Sequence, residues 1–266
     1  MRPTFAPRAG ISHVVFDFDG TLSWVRHGWP EIMFAVFRQH WRSLAGETES
    51  DRRAVMESIV FGLNGRPTLV QMQHFAERMN ARPGAVLEAE ALRSEFQERL
   101  DAKIAARLAA IRSSRAEPDA YVIFGARPLL KRLRAAGLTL VILSSTIEHR
   151  VREEAEALGL AEFFGRHIYG SGADPAAFSK MEVLQRLLHE ERIAGGQLLS
   201  FGDGPVEIRS TKELGGLAIA VCSDENHNGS GAMDEVKRRQ LLEAGADAAI
   251  PDFRDGPALV DFLLTP

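Results

Sequence analysis

The chain has 266 residues, of which 45% are hydrophobic and 26% are charged, a balance typical of a globular protein with a substantial core. Its 32 basic and 36 acidic residues give a formal net charge of −4, so the total charge does not favour nucleic acid or an anionic membrane as a partner. We therefore expect a small, diffusible ligand, with no nucleic acid and no membrane as partner.

Cysteine usage and hydropathy bear on the compartment. Cys222 is the single cysteine, so no internal disulfide is possible and a reducing compartment is expected. We predict that Cys222 is a buried strand residue; a catalytic thiol is the alternative. The start of the chain has no apolar stretch, which predicts no signal peptide, and no segment reaches the roughly 18 uninterrupted apolar residues of a membrane helix. The sequence predicts a cytoplasmic protein and leaves its oligomeric state open.

In chain order, the first predicted element is a buried β-strand at 13–18. From residue 23 to residue 120 the pattern changes to helical periodicity, which indicates a helical module inserted after that strand. The helices predicted within the module cover 29–44, 51–61, 68–79 and the long charged stretch 83–111.

After residue 120, short apolar runs alternate with amphipathic helical patterns. Strands are predicted at 138–143, 197–201, 217–221 and 246–250, and helices at 128–136, 148–158, 180–191, 206–214, 235–243 and 257–264. This alternation predicts an α/β fold, a Rossmann-like parallel sheet with helices on both faces. Ligands of such sheets bind beyond the carboxyl ends of the strands.

The segment DFDGTL, residues 17–22, begins at the end of the first predicted strand. In an extended segment Asp17 and Asp19 point to the same side, and two carboxylates that close need a cation or a special protonation state. Gly20 permits a sharp turn, and the hydroxyl of Thr21 can bond the exposed backbone. The alternative is an ordinary strand-end turn, because Asp and Gly are common turn residues.

Further polar residues follow the other predicted strands. Ser144 opens an SST segment after the apolar run LTLVIL, Lys180 opens a predicted helix, and the segment GDGPVE supplies Asp203 and Glu207. Each has a structural alternative: a helix cap for Ser144, a solvated amine for Lys180 and a turn for Asp203. Their order, each at a strand end or loop where the sheet would need it, favours one shared site.

These four segments match, in order, the four motifs of the haloacid dehalogenase-like hydrolase superfamily, which the sequence resembles. The resemblance covers the predicted catalytic core, residues 1–22 and 121–266. The segment 23–120 resembles the helical C1-type cap domain of that superfamily, inserted between the first and second motifs.

The resemblance implies Mg²⁺-dependent hydrolysis of a small phosphorylated metabolite. Asp17 would be the nucleophile that forms an aspartyl-phosphate, and Asp19 would act first as general acid and then as general base. Mg²⁺ would be held by the carboxylates of Asp17 and Asp203 and by the backbone carbonyl of Asp19. Lys180 and Ser144 would stabilise the transferring phosphoryl group. An acid at position 19 fits an alkoxide leaving group and excludes the dehalogenases, phosphonate-cleaving members and ion pumps of the superfamily, which do not carry Asp there.

Glu207 departs from the commoner fourth motif, which ends in Asp. It remains a metal-site candidate, either as a direct ligand or through a bound water. The departure also keeps open a non-catalytic module that binds a phosphometabolite or a protein. A phosphomutase is a separate alternative, because it shares the motifs and uses the same aspartyl-phosphate.

Candidate substrate-binding residues lie near the first two motifs and in the predicted cap. Thr21 and Ser145 are candidates near the phosphate, and the segment 24–29, with Trp24, Arg26, His27 and Trp29, is a candidate for the cavity mouth. Arg66 lies in the break 62–67, which resembles the substrate-specificity loop of C1 caps. The alternatives are hinge packing for the tryptophans, a surface position for His27 and ordinary loops at 62–67 and 223–233.

Overall fold

The computed structural model describes residues 5–63, 67–172, 178–224 and 226–265. The chain forms two compact units. One consists of Met1–His27 and Arg107–Pro266, and the other of Gly28–Ala106.

The first unit is built on a six-stranded parallel sheet in the order β3-β2-β1-β4-β5-β6. Its strands are β1 (His13–Phe16), β2 (Thr139–Ile147), β3 (Ile168–Ser171), β4 (Leu198–Gly202), β5 (Leu217–Val221) and β6 (Ala248–Ile250). The chain moves outwards from β1 through β2 to β3, then returns to the other side of β1 and continues from β4 to β6. The carboxyl ends of β1 and β4 therefore flank the point where the strand order reverses, which is where α/β sheets bind ligands.

The helices account for most of the remaining chain. They are α1 (Trp29–Gln39), α2 (Glu49–Val60), α3 (Thr68–Asn80), α4 (Ala89–Arg112), α5 (Ala126–Ala135), α6 (Glu148–Ala157), α7 (Ala161–Phe164), α8 (Lys180–Glu191), α9 (Pro205–Glu213), α10 (Glu235–Glu243) and α11 (Gly256–Leu264). Short 3₁₀ turns occupy Pro118–Tyr121 and Gly195–Gln197. In the first unit α6 contacts β2 and β3, α8 contacts β2, and α9 contacts β4 and β5.

Successive residues of β1 point to opposite faces of the sheet, and each face has its own core. Val15 packs with aliphatic residues that include Leu184 and Leu187 of α8. Phe16 lies in an aromatic cluster, where its ring stacks on Phe201 of β4 with centroids 5.1 Å apart and meets Phe253 edge-on at 6.3 Å. β1 is thus buried on both faces, as its unbroken apolar sequence predicts.

The second unit has its own apolar core. Phe37 of α1 and Phe75 of α3 are fully buried and stack with centroids 4.1 Å apart. A capping box begins α2: the Thr48 hydroxyl accepts from the backbone of Asp51, whose carboxylate accepts from the backbone of Thr48. In this unit α4 buries an apolar residue at every fourth position, at Leu92, Phe96, Leu100 and Ile104.

The predicted fold class, a Rossmann-like α/β sheet, is confirmed, but the bounds of β1, β4 and β6 differ from the prediction by up to two residues, and β2 and β3 differ more. β2 continues to Ile147, four residues beyond the predicted end, because its pairing with β3 resumes at Ile147 after a register shift that begins at Leu143. β3 was not predicted, because four residues with the sequence IYGS are too short and too polar to give a strand pattern.

The predicted cap boundaries, 23–120, stay a prediction. The separate compact unit is shorter, Gly28–Ala106, and α4 runs across its end into the unit that carries the sheet. Among the residues that the structure describes, no helix is long and apolar enough to cross a membrane.

The aromatic cluster behind β1 generates a stability prediction. Phe201→Ala removes a fully buried ring stacked on Phe16, and we expect it to lower the free energy of unfolding by about 3–5 kcal/mol. Phe262→Ala is the matched control, because that ring is 41% exposed and should cost clearly less. Urea unfolding monitored by circular dichroism measures both variants. Equal losses would contradict a role for the cluster in supporting the central strand.

Candidate active site

The carboxyl ends of β1 and β4 bring two aspartates to one edge of the sheet. Phe16 pairs in register with Phe201, and the backbone N–H of Asp17 donates to the carbonyl of Phe201 at 2.9 Å. Asp17 thus directly follows β1, and Asp203 directly follows β4. The turn after β1 depends on Gly20, whose φ is +74° and where a Cβ atom would lie 2.2 Å from Oδ2 of Asp203.

Lys180 is the first residue of α8, after the helix cap Ser179. Its ammonium donates to Oδ1 of Asp17 at 2.6 Å and to Oε2 of Glu207 at 3.1 Å, and its side chain is only 5% exposed. A cation at a helix N-terminus is disfavoured by the helix dipole, by about 0.3–1 kcal/mol. The two carboxylates compensate for that cost and for the burial of the charge.

Glu207 enters the site from the first turn of α9. Pro205 begins this helix, and Oε1 of Glu207 accepts from the backbone N–H of Gly204 at 2.7 Å. One oxygen of Glu207 is therefore held by the helix start, and the other by Lys180. Glutamate is one methylene longer than aspartate, and its length lets it reach back to this N–H while it also contacts the lysine.

Asp17, Asp203 and Glu207 form an acidic triad whose ligand oxygens lie within 4.8 Å of one another, close enough to hold one metal ion. Burial raises the pKa of Asp17 well above its ordinary value; Lys180 opposes this shift, and the charges of Glu207 and Asp203 add to it. Burial opposes ionisation of Glu207 too, but Lys180 and backbone N–H groups hold its pKa below the ordinary value. Carboxylate oxygens are the ligands preferred by hard divalent cations.

The carboxylate of Asp19 does not belong to the acidic triad. It accepts from Nε of Arg26 at 2.6 Å on Oδ1 and from the hydroxyl of Thr146 at 2.8 Å on Oδ2. Arg26 in turn donates through Nη2 to Oε1 of Glu154 at 2.6 Å. Asp17 and Asp19 are therefore two residues apart in sequence but have different environments.

The hydroxyl residues of the first two motifs are placed differently. Ser144 is buried in the last part of β2 and accepts from the backbone N–H of Thr146 at 3.0 Å, whereas Ser145 is exposed. Thr21 is fully buried, and its hydroxyl lies 3.5 Å from Oδ1 of Asp203. The predicted roles of these residues in binding substrate or stabilising the phosphoryl group stay predictions.

His27 is packed within the first unit. Its ring stacks on Trp24 with centroids 3.8 Å apart, Nδ1 lies 2.7 Å from the carbonyl of Trp24, and Nε2 lies 2.9 Å from Nη2 of Arg107. These contacts account for both ring nitrogens, and a role in substrate binding stays a prediction. Arg66 lies outside the residues that the structure describes.

Two buried charged residues near the site were not predicted from the sequence. Lys237 of α10 is only 4% exposed and donates to Oδ2 of Asp203 at 3.2 Å, although the run KRR at 237–239 is typical of a solvated helix face. Glu154 of α6 is 2% exposed, yet it belongs to the polar stretch REEAE. The burial of Glu154 could have been predicted from its spacing of three residues from the apolar Val151, because residues three apart share a helix face.

Cys222 and the loop after it are structural neighbours of the site. Cys222 follows β5 and is fully buried, and burial raises the pKa of its thiol to about 12, which disfavours the thiolate needed for nucleophilic attack. The hydroxyl of Ser223 donates to the carbonyl of Gly20 at 3.3 Å, and Asn228 donates to the carbonyl of Val122 at 2.7 Å. The described part of the loop 223–233 is thus tied to the sheet unit.

Comparison with known proteins gives a family match and several related folds. Residues 11–215 match the family of haloacid dehalogenase-like hydrolases. No curated protein sequence matches the chain.

Solved structures of similar fold cover almost the whole chain. A HAD family hydrolase from Deinococcus radiodurans R1, with bound phosphate and sodium, has a TM-score of 0.64 at 18% identity over 97% of this chain and 100% of that chain. A predicted phosphoglycolate phosphatase from Haemophilus somnus 129pt has a TM-score of 0.62 at 15% identity over 94% and 98%. A protein assigned as a β-phosphoglucomutase from Thermotoga maritima has a TM-score of 0.59 at 17% identity over 94% and 99%. Similarity at these identities shows the fold alone.

The family match spans most of the chain, and the acidic triad with its buried lysine lies within it. The chain belongs to the haloacid dehalogenase-like hydrolase family and is a hydrolase. Its sheet, with the acidic residues at the ends of the two central strands, has the architecture of that family's solved members.

The turn after β1 generates a prediction for the metal site. Gly20→Ala forces a side chain into a left-handed conformation, at about 1–2 kcal/mol, and places a methyl group against Asp203. Gly215→Ala is the matched control, because its φ is +84° but no atom lies within 4 Å of the added Cβ. We expect both variants to lose stability, and only Gly20→Ala to lose the increase in melting temperature that Mg²⁺ would produce on binding to the acidic triad. An unchanged Mg²⁺ effect in Gly20→Ala would contradict this placement of Asp203.

Proposed function

We propose that the protein hydrolyses a small phosphate monoester through an aspartyl-phosphate intermediate on Asp17. The observation that carries the proposal is the position of this carboxylate. It belongs to an acidic triad within 4.8 Å, accepts a hydrogen bond from a buried lysine, and lies two residues from a second aspartate that has separate partners. A nucleophile, a fixed cation and a candidate general acid are thus available at one strand end.

The triad fits a divalent cation. Its three members offer oxygen ligands, and Lys180 and Lys237 supply two positive charges against three carboxylates, which leaves one uncompensated negative charge in a largely buried site. Asp17, Asp203 and Glu207 would hold Mg²⁺, with the backbone carbonyl of Asp19 as a further candidate ligand. A bound Mg²⁺ supplies the positive charge that lets a phosphate dianion approach these carboxylates.

In the first half-reaction, a carboxylate oxygen of Asp17 attacks phosphorus and the bond from phosphorus to the ester oxygen breaks. Asp19 transfers its proton to the departing alkoxide, which leaves as an alcohol. Lys180 offers a fixed positive charge to the phosphoryl oxygens, and backbone N–H groups near Ser144 are candidate donors to the same oxygens.

In the second half-reaction, a water molecule attacks the phosphorus of the aspartyl-phosphate. Asp19, ionised after the first step, accepts a proton from that water. The bond from phosphorus to the carboxylate oxygen breaks, phosphate is released and Asp17 is restored as a carboxylate. Proton and charge balance over the two steps, with one water consumed for each ester cleaved.

Three considerations favour a small metabolite as substrate. An acid at position 19 suits the alkoxide of a sugar, polyol or hydroxy acid, which needs a proton to leave. One solved protein of the same fold is named as a predicted phosphoglycolate phosphatase, and another holds a bound phosphate. The net charge of −4 does not favour a nucleic-acid substrate.

A phosphomutase is the second candidate, favoured by the fold neighbour assigned as a β-phosphoglucomutase. A mutase would use the same aspartyl-phosphate but return the phosphoryl group to a second hydroxyl of the sugar. Its intermediate must therefore survive exposure to water until the sugar phosphate has turned around in the site.

The test of the proposed function is phosphate release from a panel of phosphorylated sugars, polyols, nucleotides and small acids. The full chain is assayed with Mg²⁺, with EDTA, and as the Asp17→Asn variant. We expect release with Mg²⁺, loss of release with EDTA, and a decrease of at least about a thousandfold in Asp17→Asn, because the amide is not a nucleophile.

A matched control separates loss of chemistry from loss of structure. Asp224→Asn changes a carboxylate beyond the end of β5 that accepts from the backbone N–H groups of Asn226 and His227, at 2.8 and 3.2 Å, and from the side chain of Ser230, and it should retain activity. If no ester in the panel releases phosphate above the Asp17→Asn background, the proposed hydrolysis is wrong. Transfer between two positions of one sugar, without release, would instead establish the mutase.

A further inference from the structure

Both carboxylate oxygens of Asp19 are engaged. Oδ1 accepts from Nε of Arg26 at 2.6 Å, and Oδ2 accepts from the hydroxyl of Thr146 at 2.8 Å. Thr146 is the penultimate residue of β2, just before α6, and Arg26 lies seven residues after Asp19 along the chain. The direction in which this carboxylate points is therefore fixed by two side chains, and one of them, Arg26, lies outside the segments that match the family motifs.

Arg26 is itself held by a second acid. Its Nη2 donates to Oε1 of Glu154 at 2.6 Å, and the side chains of Arg26 and Glu154 are 16% and 3% exposed. The guanidinium thus bridges two carboxylates, Asp19 at the sheet edge and Glu154 on α6. An arginine fork suits this task, because separate N–H groups of its rigid plane serve separate acceptors.

Glu154 is an unusual residue to bury. Its Oε2 atom is buried and has no hydrogen-bond partner among the residues that the structure describes. Burial raises the pKa of Glu154 to about 7; Arg26 opposes that shift and the charge of Asp19 adds to it. Packing alone does not explain a glutamate here, because an apolar residue would fill the same position on α6 without a buried oxygen that lacks a partner.

We propose that Glu154 and Arg26 are positioning residues that orient the general acid–base Asp19. The inference rests on the proposed function, in which Asp19 donates and then accepts a proton. Neither residue needs to touch the substrate: Arg26 fixes Oδ1 of Asp19, and Glu154 fixes Arg26.

Both members of the pair are required, because they act in series. Without Arg26, only Thr146 holds the Asp19 carboxylate, and its alignment with the leaving oxygen is lost. Without the Glu154 carboxylate, the charge-assisted hydrogen bond that holds the Arg26 guanidinium is weakened, and Arg26 no longer fixes Oδ1 of Asp19. Either change slows the step in which the leaving group is protonated.

The dependence of the rate on the leaving group separates this role from a structural one. Phenyl phosphate releases a basic phenolate that benefits from protonation, whereas para-nitrophenyl phosphate releases a weakly basic phenolate that leaves without it. The two esters are close in size and share the same phosphoryl group. A defect in Asp19 acting as acid therefore slows the first ester more than the second, while a general distortion of the site slows both alike.

The experiment measures kcat and KM on both esters for the full chain with Mg²⁺. The variants are Glu154→Gln, Arg26→Gln, the double variant and Arg26→Lys. We expect kcat on phenyl phosphate to fall by about tenfold to a hundredfold in the Gln variants, part of the contribution typical of a general acid, with a much smaller fall on para-nitrophenyl phosphate. The double variant should resemble the single variants, because the two residues act through one contact.

Glu153→Gln is the matched control. Glu153 precedes Glu154 on the same helix and also pairs with an arginine, Arg112 at 2.5 Å, but both of those side chains are about half exposed, at 51% and 52%. It should change neither ester's rate. Arg26→Lys keeps the positive charge but not the forked guanidinium. We expect Arg26→Lys to be more active on phenyl phosphate than Arg26→Gln and less active than the wild type.

The outcomes distinguish the inference from the proposed function. If the wild type hydrolyses both esters and the Gln variants slow them equally, or slow neither, the inference is wrong and the proposed function stands. If the wild type releases phosphate from neither these esters nor the metabolite panel, the proposed function fails and the inference fails with it. A selective loss on phenyl phosphate in Arg26→Gln or Arg26→Lys supports the inference even if Glu154→Gln does not fold.

Discussion

The site depends on how one buried ammonium is shared between two carboxylates. Lys180 lies 2.6 Å from Asp17 and 3.1 Å from Glu207, and Asp203 completes a triad within 4.8 Å. Lys180 and the buried Lys237, which contacts Asp203 at 3.2 Å, supply two positive charges against three carboxylates, so negative charge remains in a largely buried place. Burial and the charges of Glu207 and Asp203 raise the pKa of Asp17. The proposed need for Mg²⁺ follows from this charge, because a phosphate dianion would otherwise be repelled.

The parallel sheet makes the arrangement possible. β1 and β4 are adjacent, in register and buried on both faces, so their carboxyl ends deliver Asp17 and Asp203 to one edge with little freedom. Helix starts then supply the remaining groups: Lys180 from α8 and Glu207 from α9. The aromatic stack of Phe16 on Phe201 lies one residue before Asp17 and connects the packing of the core to the position of the nucleophile.

Residues at strand ends and helix starts were predictable because local sequence specifies both kinds of position. The apolar run before Asp17, the serine cap before Lys180 and the glycine turn with Asp203 each have a local signal, and the structure brings those three side chains into the same site. β3 was not predictable, because its four residues form a strand only by pairing with β2. Glu154 and Lys237 lie in sequences typical of solvated helix faces, and only tertiary contacts show that Lys237 pairs with Asp203 and Glu154 with Arg26. Arg26 was a candidate for the cavity mouth, and the sequence did not indicate its contact with Asp19.

The central claim is that Asp17 carries the phosphoryl group during turnover. The most direct test mixes the enzyme rapidly with its best substrate and Mg²⁺, quenches the reaction in acid and maps the modified peptide by mass spectrometry. The account predicts the mass of one phosphoryl group on the peptide that contains Asp17, absent from Asp17→Asn and formed before phosphate appears in solution. Phosphate release at the full rate with no phosphoryl group on that peptide, or with one on a different residue, would contradict it.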